Sequence, residues 1–242
     1  MVINVRTSMA TQAAPSHVQN QDTLRMLNLR LRHANPSWVW VISDGMGGHL
    51  RGEQASHITV QVFLDHFLLS YFDSVKFFEN SVQYLEKLVS EIDIAVYDLG
   101  FSGEAFHRDP HRNLMGATMT GALLVDQYLY LVHLGDTRCY LMRDGSLTLL
   151  TVDHVTENGE FLTQALGSGD LLDPFITKIK MEKRDMLVFL SDGVHKVLRT
   201  GEILNIVATG SDLEQIAGDL VKVVTADRRF ADDVSALVVS FS

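Results

Sequence analysis

With 242 residues, 46% of them hydrophobic and 21% charged, the chain has material for one domain with a substantial core and is too apolar to remain unfolded. Lys and Arg number 20 against 30 Asp and Glu, a formal charge of -10, so a phosphate-backbone ligand is repelled and nucleic acid is not expected as a partner. The single cysteine, Cys139, excludes an intramolecular disulfide and a thiolate metal cluster.

The opening residues carry no basic start, long apolar centre or small-residue cleavage site, and no apolar run reaches membrane-spanning length, so the cytoplasm is the expected compartment. Residues 2–12 and 23–32 mix apolar and polar side chains at strand spacing. Trp38, Val39, Trp40, Val41 and Ile42 form an apolar run ended by Asp44-Gly45, the pattern of a strand buried on both faces. From Gly52 the period changes. Val60, Phe63, Leu64, Phe67 and Leu68 mark one helix face, and Phe78, Val82, Leu85, Val89, Ile92 and Val96 predict a second, longer helix.

After Gly116, residues 118–125, 128–134 and 138–143 are separated by Asp126-Gln127 and Gly135-Asp136 and read as a meander of hairpins. Strands over 175–181 and 186–190 join through Lys183-Arg184-Asp185, and the second stops at Ser191-Asp192-Gly193. Leu213, Ile216, Ala217, Leu220 and Val224 outline a late helix, and 234–241 is a closing strand. Strands and helices arrive in separate blocks, which predicts an α+β fold: a central β-sandwich of two mostly antiparallel sheets flanked by helices, in α-β-β-α layers. No linker-like stretch or repeat interrupts the chain, so residues 1–242 are read as a single domain.

Three carboxylates fall at strand ends: Asp44 before Gly45, Asp192 before Gly193, and Asp232 ahead of the final strand. One Asp-Gly pair is an ordinary turn former. Three at strand ends can converge at one sheet edge, where they raise one another's pKa unless a cation joins them. The richest segment is Asp44-Gly45-Met46-Gly47-Gly48-His49, whose glycines permit positive φ and let the Gly45 carbonyl approach a hard cation. It is no phosphate loop, because Gly-Lys-Ser/Thr does not follow.

The segment DGMGGHLRGEQAS resembles the signature of the metal-dependent Ser/Thr protein phosphatases of the PPM family, also called type 2C, in their bacterial form. Asn20-Gln21-Asp22, MGATMTGALLV from Met115, LVHLGDTRCYLMRDG from Leu131, Asp153-His154, LTQALG from Leu162, LVFLSDGV from Leu187 and ADDVSALVV from Ala231 follow in the family's order over nearly the whole chain. The resemblance implies a protein-serine/threonine phosphatase. Asp44 would bridge two Mn²⁺ or Mg²⁺ ions and position the attacking water, Gly45 would offer its carbonyl, and Asp192 and Asp232 would complete the metal pair. Asp22 would act through metal-bound water and Asp136 would help hold a third ion. Phosphorylated Ser/Thr proteins are the implied substrates and a Ser/Thr kinase the implied counterpart.

The chain departs from the family pattern in four places. His17 stands where relatives carry a phosphate-gripping Arg, and Arg25 and Arg51 are substitutes by proximity in sequence, each also readable as a solvated surface residue. Lys196 replaces an acidic residue that helps bind the third metal, and an ammonium there disfavours a third cation. Asp232-Asp233 replaces Asp-Asn, with Asp232 kept as the ligand because Ser235 then falls in register. The flap between Asp153 and Leu162 is short, which implies reduced substrate selection by it. These departures also admit a non-catalytic regulatory module that binds a phosphoprotein or kinase, and a phosphatase for small phosphoesters is a third reading. His107 and His111 flank Pro110 and read as loop histidines, His49 as a structural member of the signature, His133 as a sheet residue, and Cys139 as buried and inert.

Overall fold

The computed structural model describes residues 4–29, 37–46, 51–68, 73–101, 115–210 and 212–242. One antiparallel sheet has the order β1 (Val5–Gln12), β11 (Val234–Phe241), β10 (Met186–Leu190), β7 (Arg138–Arg143), β8 (Ser146–Leu149). The other runs β2 (Asp22–Leu29), β3 (Ser37–Met46), β5 (Met119–Val125), β6 (Tyr128–Leu134), β9 (Phe175–Lys180), and the short β4 (Gly116–Ala117) pairs with the end of β3. The α+β sandwich expected from the blockwise pattern is present, with helices on both outer faces.

Alternation along the strands builds the layers. On β3, Trp40 and Ile42 face the second sheet, where they meet Cys139, Leu187, Phe189, Leu237, Val239 and Phe241. Val39 and Val41 point the other way, onto α1 (Gly52–Leu68) and α3 (Ser81–Phe101) through Phe63, Phe67, Leu85, Leu88 and Ile92. On the opposite face Val188, Leu190, Ala236 and Val238 pack against α5 (Thr200–Thr209) and α6 (Leu213–Thr225) through Ile203, Ile216 and Leu220. Both faces of β3 and β11 are thus apolar because each central strand is covered twice. Each side chain so buried contributes roughly 1.5–3 kcal/mol, which makes these strands rigid mounts for whatever sits at their ends.

The single long helix expected through Phe78 and Val82 is two, α2 (Ser74–Glu79) and α3, broken at Asn80. The Asn80 Oδ1 accepts the Gln83 backbone N–H at 3.1 Å, a side-chain cap that competes with continued helix, and Phe78 and Val82 are left exposed at the break. The meander also ends early. β5 and β6 form a hairpin, but β5 and β9 already occupy both edges of β6, so β7 cannot pair with it. Residues 135–137 carry the chain into the other sheet instead, and the connection through Lys183-Arg184-Asp185 later takes it from β9 into that same sheet again. The short β8, α5 and α4 (Asp192–His195) have too few periodic residues to stand out in the sequence. His49, Gly47, Gly48, His107 and His111 lie outside the described residues. No helix among the described residues is long and apolar enough to cross a membrane.

Candidate active site

In antiparallel sheets the end of one strand lies beside the start of its neighbour, so one edge of the sandwich collects the end of β3, the start of β2, the end of β10, the start of β11 and the 135–137 crossing. Every acidic residue singled out from the sequence sits on this edge. Oxygens of Asp44, Asp136 and Asp192 lie within 4.8 Å of one another, and Asp232 lines the same cleft outside that trio. The cleft encloses about 450 Å³, and His17, Gln21, Gly45, Thr118 and Lys196 also line it. Asp22 is paired in register with Asp44 but stays buried behind the cleft wall, beside the Ser191 and Ser235 hydroxyls.

The backbone around each carboxylate is clamped. Thr118 N–H donates to the Asp44 carbonyl at 2.8 Å, and Asp44 N–H donates to Thr118 Oγ1 at 3.0 Å. Gly45 N–H donates to the Gln21 carbonyl at 3.0 Å. Gly45 is needed here for close approach rather than for positive φ, because a Cβ would lie 1.8 Å from the Gly52 carbonyl oxygen. The same logic holds at the second ligand turn, where a Cβ on Gly193 would lie 2.1 Å from the Asp233 carbonyl oxygen. Ser191 N–H donates to the Ser235 carbonyl and Ser235 N–H to Ser191 Oγ, at 3.0 and 2.9 Å, which fixes Asp192 against the start of β11.

Electrostatically the edge is over-supplied with negative charge. Burial, then the charges of Asp22, Asp192, Asp232 and Asp136, push the Asp44 carboxyl well above the usual carboxylate range. Burial raises Asp22 to about 8, and the nearby serine hydroxyls offset only part of this. Asp136 rises to about 6, through burial and Asp192, and Asp232 is raised for the same two reasons. Both oxygens of Asp22 and the Oδ1 of Asp192 are buried without a well-formed hydrogen bond. The orphaned Asp192 oxygen at the cleft, with the Asp44 and Asp136 carboxylates beside it and Asp22 buried behind, makes an all-carboxylate cluster of the kind that suits a hard divalent cation.

Lys196 partly answers that charge. Its ammonium lies 2.5 Å from Asp192 Oδ2 and 3.9 Å from Asp136 Oδ2. Although burial works against its charge, the Asp192 and Asp136 carboxylates raise its pKa overall. Behind the crossing, His195 Nε2 meets the Asp136 carbonyl oxygen at 2.9 Å, and burial lowers His195 to about 4, so the ring is neutral and structural. Residues 155–162 form a small loop closed by a bridge between Val155 and Leu162, and it walls one side of the cleft with Glu160 and the exposed Phe161.

His17 lines the cleft, as its place in the sequence suggested, whereas neither alternative arginine does. Arg25 Nη1 donates to the Leu24 carbonyl at 2.8 Å, and Arg51 Nη1 reaches the Leu99 and Gly100 carbonyls at 3.4 Å. His133 is a packed sheet residue, bonded to Thr120 Oγ1 at 2.8 Å and brought to about 4 by burial, and Cys139 is buried in the inter-sheet core. Sequence reasoning missed two supports. Thr118 has no signal beyond its place ahead of a strand. Asp233 was visible only as a surplus charge, yet its buried carboxylate accepts the Ala14 and Gln21 N–H groups at 2.6 Å each, so it ties down the 13–21 loop and is not a spare metal ligand.

Comparison with known proteins agrees with this site. The family model for protein phosphatase 2C matches residues 12–233. Protein phosphatase PhpP of Streptococcus pneumoniae is 25% identical over 249 residues, covering 95% of this chain and 92% of that protein. The solved S. agalactiae serine/threonine phosphatase is 22% identical and superposes with a TM-score of 0.83 over 98% of this chain and 99% of that one. The catalytic domain of the serine/threonine protein phosphatase PstP, solved in complex with two manganese ions, is 23% identical with a TM-score of 0.77 over 99% of each chain. At those identities the two structures establish a common fold.

Proposed function

Because the chain belongs to the protein phosphatase 2C family, we propose that it is a metal-dependent phosphatase, acting as one domain over residues 1–242 on phosphoserine and phosphothreonine in proteins and opposing a Ser/Thr kinase in the cytoplasm. The observation that carries the reading is the convergence of Asp44, Asp136 and Asp192, from three distant segments, to within 4.8 Å at the mouth of an open cleft.

Asp44, Asp192 and Asp232, with the Gly45 carbonyl, would hold two divalent cations, Mn²⁺ or Mg²⁺. When bound, the pair supplies Lewis acidity toward the phosphoryl oxygens and an activated water. The clamps on Asp44 and Asp192 keep their carboxylates from rearranging as charge develops on the phosphoryl group. Asp22, buried behind them, would orient water at the back of the site. Asp136 has its closest cationic neighbour in Lys196, which supports a two-ion site more than a three-ion one. Gly52 has no Cβ to cover the Gly45 carbonyl oxygen, since one placed there would lie 2.5 Å away.

The test is phosphate release from a phosphothreonine peptide with and without Mn²⁺, using wild type, Asp44→Ala and Asp192→Ala. Turnover is expected only with metal, and each substitution is expected to lower it by at least about 100-fold, since even outer-shell changes at metal sites cost up to that much. Hydrolysis indifferent to both metal and substitution removes the proposal. Tight phosphopeptide binding with no turnover points instead to the regulatory module.

A further inference from the structure

A groove of about 510 Å³ runs beside the metal-binding cleft, and the two share a wall. Gln21 lines the cleft, while Gln19 and Asn20 just before it line the groove. Gly45 of the cleft packs so closely on Gly52 that a Cβ would lie 1.8 Å from the Gly52 carbonyl oxygen, and Glu53, the next residue, lines the groove. The walls are pinned. Asn20 Oδ1 accepts the Asp22 N–H at 2.8 Å, and Asn20 Nδ2 donates to Thr11 Oγ1 at 2.7 Å. Thr23 Oγ1 meets Ser56 Oγ at 2.9 Å, which ties β2 to α1. Arg51 Nη1 reaches the Leu99 carbonyl at 3.4 Å and so holds the part of α3 that lines the groove, where Leu99 and Ile58 supply its apolar surface.

On these fixed walls stand polar side chains with nothing to bond. Gln19, Gln54 and His57 are exposed and Glu53 is half-buried, and among the described residues none of the four makes a side-chain hydrogen bond or ion pair. An amide side chain both donates and accepts, which matches the N–H and C=O groups of an extended peptide. We propose that this groove binds the stretch of the substrate protein flanking the phosphorylated residue, and that Glu53 selects a Lys or Arg within about four positions of it, roughly 13 Å of extended chain. The inference rests on the phosphatase reading above. Continuity with the cleft identifies the occupant, because a chain whose phosphorylated side chain sits in the cleft reaches the groove by crossing the single wall of Asn20 and Gln21. Glu53 is the one carboxylate in the groove lining, and the formal charge of -10 on the whole chain draws basic segments toward it.

The experiment uses the full chain loaded with Mn²⁺. Its substrates are p-nitrophenyl phosphate, a three-residue phosphothreonine peptide, and two eleven-residue phosphothreonine peptides that carry either Arg or Glu on both sides of the phosphorylated residue. For wild type, KM of the Arg-flanked peptide is expected to lie about tenfold below that of the short peptide and of the Glu-flanked one. Gln54→Arg combined with His57→Lys puts two cations into the groove at exposed positions of α1, where both are good helix formers, and a lysine at position 57 lies one turn from Glu53 and engages its carboxylate. In this variant KM of the Arg-flanked peptide is expected to rise about tenfold with kcat unchanged, the mark of lost uniform binding, and KM of the Glu-flanked peptide is expected to fall. The short peptide and the nitrophenyl ester do not extend into the groove, and their KM values are expected to move by less than about twofold. A wild type that turns over the short peptide but treats Arg and Glu flanks alike overturns the groove alone, as does a variant that keeps the wild-type preference. Equal losses by the variant on all four substrates also overturn it, because the groove then acts on the cleft and not on the flanking chain. A wild type inert on every substrate overturns the phosphatase reading and the groove assignment with it.

Discussion

The Lys196 ammonium and the Asp192 carboxylate, one helical turn apart, form a contact of 2.5 Å inside the cleft that gathers the acids. A lysine in that place is a tethered cation, always present and competing with any free one. Two unit charges about 4 Å apart interact by about 4 kcal/mol at an effective dielectric of 20. The lysine side chain is 56% exposed, so solvent screening leaves only a fraction of that. Lys196→Ala is therefore expected to tighten Mn²⁺ binding by about tenfold, roughly 1.4 kcal/mol, as read by calorimetry. An increase in the number of ions bound would identify Asp136 as the ligand that Lys196 blocks. Unchanged or weakened affinity would mean the ammonium does not compete with metal.

The acids predict how the metal-free chain responds to pH. Asp22 rises to about 8 and Asp136 to about 6 on folding, and Asp44 and Asp232 are also raised, from an ordinary value near 3.8. Between the unfolded and folded values the folded chain binds more protons, so stability falls as pH rises. Without divalent ions the melting temperature is expected to fall between pH 7 and pH 8, above the range in which the lowered His133 and His195 oppose the trend, by about 2–4 °C, equivalent to about 1 kcal/mol for a chain of this size. Added Mn²⁺ should restore it most strongly at pH 8, where the carboxylates are deprotonated and free to ligate. A metal-free melting temperature that climbs over this range would contradict the crowding of charge at the sheet edge.

The architecture was legible where periodicity is strong. Val39 to Ile42 and Val234 to Phe241 are covered on both faces and so read as strands without help from context, and α6 announced itself by Leu213, Ile216, Leu220 and Val224. What sequence could not show was partner choice. Whether β7 pairs with β6 depends on β9, some forty residues further on, already lying along the other edge of β6, and it is this that puts Asp136 beside Asp44 and Asp192. Asp44 and Asp192 were legible as Asp-Gly turns at strand ends and Asp232 as the acid ahead of the last strand, but Asp233 was not, because its value lies in two backbone N–H groups more than two hundred residues away.

Close packing at the second ligand turn makes Gly193 the most sensitive small residue of the site. A methyl group added there would sit 2.1 Å from the Asp233 carbonyl oxygen, a backbone atom that cannot move without dragging the start of β11. Gly193→Ala is expected to cost about 3 kcal/mol of stability by denaturant titration, at the upper end of ordinary overpacking, and to weaken Mn²⁺ binding through displacement of Asp192 and Asp232. A variant with wild-type stability and metal affinity would show that the two segments separate freely.

Asp233→Asn separates charge from shape. The amide matches the carboxylate in size, but one of its two terminal atoms is an NH₂, and both Asp233 oxygens face backbone N–H donors. Whichever way the amide is turned, one donor confronts another, and a buried N–H at Ala14 or Gln21 is left without an acceptor. Such a loss costs about 1–3 kcal/mol, so the melting temperature is expected to drop by about 2–12 °C. Hydrogen exchange should locate the change in the 13–21 loop, with the strands of the sandwich protected as before, because β1 and β2 keep their own ladders with β11 and β3. If Asp233→Asn is as stable as wild type and the loop exchanges no faster, the two N–H groups find other acceptors, and the loop owes its shape to packing rather than to this acid.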